Sequence, residues 1–108
     1  MTAEVREATR KEIEILDNIK KQWRIGMHYS TRSDLVERSG LPYQLVQTDR
    51  DDLGNFIWHG YRYYWRSISW GKGALYINET EAGKRLYASM GEALAALRKV
   101  LTDYLNNN

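Results

Sequence analysis

Apolar positions in the first two dozen residues repeat at steps of three and four. Val5, Ala8, Ile15 or Leu16, Ile19 and Trp23 form one stripe with Lys, Arg and Glu between them, which predicts an amphipathic helix from Ala3 to about Arg24. Gly26 and the polar tract His28 to Ser30 end it. Thr31 or Ser33 is placed to cap a second, short helix with Asp34 and Glu37 in its first turn, and Gly40 stops that helix. In LPYQLVQT, Leu41, Tyr43 and Leu45 alternate as in a strand. Pro42 nevertheless suits the first turn of a helix, and Leu41, Leu45, Val46 and Leu53 keep an approximate helical face, so the expectation is a third helix.

After Gly54 the period changes. FIW, YRYYWRSISW and ALYIN are rich in aromatic and β-branched residues, and WGKG supplies a turn between the last two. This predicts a β-hairpin with its tip near Gly71 to Gly73. From Thr80 onward, Leu86, Met90, Ala93 or Leu94, Leu97, Leu101 and Tyr104 or Leu105 return to helical spacing, predicting a long C-terminal helix over 80–105. The expected order is helix, helix, helix, hairpin, long helix, an α+β class in one domain of 108 residues.

Charge distribution says more than the net charge of +2. Residues 41–54 carry one Arg against three Asp, whereas 55–78 carry Arg62, Arg66 and Lys72 with no acid and three of the four tryptophans. Basic and aromatic residues are therefore concentrated in the expected hairpin, a pairing that suits nucleic acid. The absence of cysteine excludes disulfides, thiolate metal sites and thiol nucleophiles. No apolar run reaches a membrane span of roughly 20 residues, and the N-terminus lacks a signal peptide's apolar middle. The expectation is a soluble, cytoplasmic protein with no membrane contact, nucleoid-associated when bound to DNA.

Three short helices followed by a hairpin make a winged helix-turn-helix: a three-helix core, a β-hairpin wing and a long C-terminal helix. In SDLVERSGLPYQLVQTDRDDL, Leu35 and Val36 face the core, Gly40 permits a left-handed turn, Leu41 plugs the space between helices, and Val46 and Leu53 anchor the third helix. This stretch resembles the helix-turn-helix of winged-helix transcriptional regulators such as the MarR and PadR groups. LYINETEAGKRLYASM resembles the step by which the wing of those regulators enters a C-terminal helix. Together the likeness covers roughly residues 12–101.

The resemblance implies sequence-specific binding of double-stranded DNA, as a transcriptional regulator of microbial or viral type without catalytic chemistry or cofactor. Tyr43, Gln44, Gln47 and Thr48 become the base-reading candidates on the third helix. Thr31, Arg32 and Ser33, at the start of the second, suit a phosphate. Arg62, Arg66, Trp70 and Lys72 are the wing's contribution. In the resembling regulators flanking helices make the dimer, so Leu94, Leu97, Leu101 and Leu105 are expected to form a homodimer interface.

Plainer readings accompany several of these residues. Asp49, Asp51 and Asp52 on adjacent helical positions diverge too much for a metal and read as a solvated helix end. Tyr61, Tyr63 and Trp65 alternate with Arg62, Tyr64 and Arg66, so one face packs while the two arginines stay wet. His28 and His59 lack metal-ligand spacing, and neither a nucleophile elbow nor a phosphate loop is present. Two alternatives stand beside DNA reading: a protein-interaction module using the acidic third helix, and single-stranded nucleic acid stacking on the aromatic hairpin.

Overall fold

The computed structural model describes residues 1–68 and 75–107. Helix α1 spans Ala3–Gln22 as the spacing predicts, but it buries Thr9, Glu12, Leu16 and Ile19 on one line, so that only Leu16 and Ile19 of the expected stripe are fully covered and Val5, Ala8 and Trp23 are half-buried. Thr2 caps it, its hydroxyl accepting from the Val5 N–H at 3.2 Å. Glu4 in the first turn and Lys20 and Lys21 in the last complement the helix dipole. Helix α2, Tyr29–Arg38, is followed by Gly40 at φ +88°, a left-handed conformation that glycine adopts without penalty.

The expected third helix is a strand. β1, Tyr43–Thr48, pairs antiparallel with β2, Arg62–Ser67, in the register Tyr43↔Ser67 to Thr48↔Arg62. Alternation outweighs Pro42: Tyr43 and Leu45 are fully buried, and Leu45 lies opposite the fully buried Trp65. A helix would have turned these side chains apart, whereas period two puts them together under one face. The partner of YRYYWRS is thus the segment before it. The described part of ALYIN, residues 75–78, is not the second strand: Ile77–Glu79 forms a 3-10 turn with Ile77 fully buried. The WGKG tip, with Trp70 and Lys72, lies outside the described residues.

The expected helix over 80–105 is also divided. A four-residue helix α3, Glu81–Lys84, is followed by extended chain in which Tyr87 pairs with Tyr63 through reciprocal backbone bonds of 2.9 and 2.8 Å. Tyr87 thereby adds one rung to the second edge of β2. Helix α4, Met90–Asn106, then starts at a capping box, with Ser89 and Glu92 each accepting from the other's backbone N–H at 3.1 Å. Among the described residues the fold is an α+β arrangement of four helices and a two-stranded antiparallel sheet.

One core joins these layers. α1 and α4 run antiparallel, with Arg6 reaching the Leu105 carbonyl and Arg98 bonding Asp17 at 2.7 Å. Between them and the sheet lie Leu16, Ile19, Leu45, Trp65, Leu97 and Leu101. The Trp65 indole N–H donates to the Ala93 carbonyl at 2.5 Å, locking β2 to the first turn of α4. Leu94, Leu97 and Leu101 are at most 5% exposed within the single chain. The apolar stripe expected to form a dimer is consumed by this core, leaving only Leu105 of the four partly open. Among the described residues, no helix is long and apolar enough to cross a membrane.

Candidate nucleic-acid interface

Antiparallel pairing sorts the ribbon's side chains by face. Tyr43, Leu45 and Gln47 share the inner face with Ser67, Trp65 and Tyr63. Gln44, Val46 and Thr48 share the outer face with their cross-strand partners Arg66, Tyr64 and Arg62. Every outer residue keeps some exposure, and Arg66 is the most open. The face therefore has an apolar centre, Val46 beside Tyr64, flanked by a Gln–Arg pair and a Thr–Arg pair, with no acid among its six side chains.

Contacts fix part of this surface before any ligand arrives. Arg66 Nη2 donates to Gln44 Oε1 at 2.6 Å, tying the guanidinium to the neighbouring strand through one of its five N–H groups. Arg62 Nη1 donates to the Tyr61 carbonyl at 3.2 Å. The hydroxyl of Thr48 accepts from the Arg50 N–H at 3.2 Å, which shapes the exit of β1.

Not all expected contact residues reach this face. Tyr43 is fully buried, and its phenol donates to Glu12 Oε1. Gln47 points inward, Nε2 lying 3.5 Å from the Tyr63 hydroxyl. Strand periodicity, in place of helical periodicity, removes both from base reading and keeps Gln44 and Thr48. At α2 the helix begins at Tyr29, ahead of the expected caps, and His28 makes no side-chain cap. Ser33 is buried inside the helix. Arg32 donates to the Arg24 carbonyl at 3.0 Å, with its guanidinium 4.7 Å from the centre of the Trp23 ring. It braces the α1–α2 turn, and of the expected phosphate site only Thr31 is exposed.

The three aspartates lie in the connection between the strands. Asp51 Oδ1 accepts from the N–H groups of Leu53 and Asn55, both at 2.9 Å, closing the turn at Gly54. Asp49 lies 3.7 Å from Arg50 Nε, and Asp52 borders a surface depression with Lys84 and Arg85. They are a turn closure, a charge beside Arg50 and an exposed carboxylate, in place of the expected solvated helix end. Among the described residues, no three His, Asp or Glu side chains gather closely enough to hold a metal ion.

Sequence reasoning places Tyr64 on the face of the two arginines but misses its pairing with Val46 there, and it misses the loop aromatics. Phe56 is 50% and Trp58 79% exposed. The alternation Leu41, Tyr43, Leu45 was the signal for the first pair; the acid-free run FIWHGY beside a glycine was the signal for the second. Elsewhere, a groove of about 430 Å³ runs between α1 and α4 over Leu16, Leu94 and Ala95. Of its bordering charges Arg98 pairs with Asp17 and Lys99 with Asp103, while Lys20 also lines it and the buried Trp23 Nε1 and Thr102 Oγ1 on its lining have no hydrogen-bond partner among the described residues. Comparison with protein-family models, with curated proteins and with solved structures gave no match.

Proposed function

We propose that the protein binds double-stranded DNA with the outer face of the β1–β2 ribbon, as a regulator without chemistry of its own. The observation that carries this reading is the register that puts Gln44, Thr48, Arg62 and Arg66 on one acid-free face. A major groove admits a two-stranded ribbon as readily as a helix. Arg pairs with the guanine edge, Gln with the adenine edge, and Thr or Val with the thymine methyl, so the face holds a reading set in which each side chain has a partner.

A winged helix-turn-helix in the strict sense needs a helix where β1 runs. The ribbon takes that role in this reading, while Thr31 at α2 offers a hydroxyl to a phosphate. Arg62 and Arg66 serve either as base readers or as phosphate clamps, and both uses make affinity fall with salt. The test is a fluorescence-anisotropy titration of labelled duplex by the wild type and by an Arg62→Ala/Arg66→Ala variant at low salt. Loss of at least about tenfold in affinity is expected, since each base or phosphate contact contributes on the order of 1–3 kcal/mol. Equal affinity of the two proteins removes the ribbon from the interface, and absence of duplex binding by the wild type ends the proposal.

A further inference from the structure

Beyond the ribbon's paired length, the two arms of the connection are unequal. The bridge Arg50↔Phe56 and the last rung Thr48↔Arg62 leave one residue, Asp49, opposite five, residues 57–61. The surplus bulges outward. His59 takes φ +54° in this bulge, a left-handed conformation uncommon outside glycine. Trp58 is carried at its crest with 79% of its surface exposed.

The indole is braced although it is open. The Phe56 ring meets it edge-on at 5.5 Å between centroids and 84°, and His59 lies 5.8 Å away on the same bulge. Arg50 in turn sits 5.7 Å over Phe56. Tyr61, half exposed, links this cluster to Arg62 and hence to the outer face. A large exposed aromatic surface braced by a second ring, with Arg50 over that ring, is the composition of a base-stacking platform. A lipid surface fits less well, because inserting Trp58 would draw Asp49, Asp51, Asp52 and Asn55 of the same loop toward hydrocarbon, whereas stacking on a base leaves them in water.

Position selects the kind of base. Trp58 lies past the Thr48–Arg62 end of the ribbon and not on its face, so a base that it meets belongs to the segment beside the one gripped. Inside a fully paired duplex each base is already stacked on both sides. We infer that Trp58 stacks on an unpaired base, and that the preferred nucleic acid is a duplex carrying an unpaired nucleotide next to the segment held by the ribbon. This inference rests on the ribbon binding DNA.

The test compares a labelled paired duplex with the same duplex carrying a single-nucleotide bulge, titrated by the wild type, Trp58→Ala and Trp58→Phe, each checked for an unchanged folded circular dichroism spectrum. The wild type should prefer the bulged duplex on the order of tenfold. Trp58→Ala should lose that preference while keeping its affinity for the paired duplex, and Trp58→Phe should retain most of it. Equal binding of both duplexes by the wild type, or a preference that survives Trp58→Ala, overturns the stacking role and leaves the ribbon reading intact. Binding of neither duplex overturns both. A Trp58-dependent blue shift of emission with phosphatidylcholine–phosphatidylglycerol vesicles, in the absence of DNA binding, overturns them in favour of a lipid surface.

Discussion

The hydroxyl of Tyr43 donates to Oε1 of Glu12 at 2.6 Å inside the core, joining α1 to the inner face of the ribbon. Glu12 is 6% exposed and Tyr43 fully buried. Burial pushes the Glu12 carboxyl above its ordinary range, against the smaller opposing pull of the Tyr43 hydrogen bond. Burial, reinforced by the neighbouring Glu12 charge, likewise raises the Tyr43 phenol far above its usual value. An acid whose folded pKa is raised stabilises the fold fully below its unfolded pKa and loses that contribution as pH rises through the folded value. The stability difference between the wild type and Glu12→Gln should therefore favour the wild type more at mildly acidic than at neutral pH. Urea denaturation across that window checks the sign, and a difference growing in the opposite direction contradicts it.

Tyr43→Phe keeps the ring and removes the donor, leaving a buried carboxyl oxygen without its partner. A cost of about 1–3 kcal/mol follows, read as a lower denaturation midpoint. The loss should be much smaller in the Glu12→Gln/Tyr43→Phe double variant than the sum of the two singles, because each substitution disturbs the same contact.

Leu97 is fully buried between α4, α1 and the sheet. Leu97→Ala should cost about 2–5 kcal/mol as a core truncation. Because the leucine packs within its own chain, the loss should be independent of protein concentration in equilibrium unfolding. A loss that varies with concentration contradicts the core assignment and returns this stripe to an interface.

Gly83 has a steric reason to be glycine. A methyl group built there would lie 2.6 Å from Asn78 Cα and would also clash with the Ile77 carbonyl. Gly83→Ala must push α3 away from the 3-10 turn that holds Ile77 in the core, at a cost of about 1–3 kcal/mol. Thermal melting of the variant measures it, and an unchanged midpoint contradicts the close packing.

The elements that were legible in the sequence are those whose pattern lies within one segment. α1 needs only the three- and four-residue steps from Val5 through Leu16 and Ile19 to Trp23, although the burial of the polar Thr9 and Glu12 is not legible there, and the end of α2 needs only Gly40. β1 was misread because helix and strand patterns both fit LPYQLVQT over so few residues. Its identity is settled by Trp65, twenty residues further along opposite Leu45, which no local period reports. The C-terminal break was visible in principle at Ser89 and Glu92, a capping-box spacing inside an otherwise helical run. Its extended approach depends on Tyr87 pairing with Tyr63, again a remote partner. For the same reason the sequence named Gln44, Thr48, Arg62 and Arg66 individually but did not show that they share a face.

Side-chain NMR of the protein titrated with duplex DNA tests the ribbon most directly. The account predicts progressive shifts of the Val46 and Thr48 methyls and the Arg62 and Arg66 Nε–H signals, with the methyls of Leu45, Ile77 and Leu97 in the core unmoved. Shifts confined to α2 or α4, or no shifts at low salt, would contradict it.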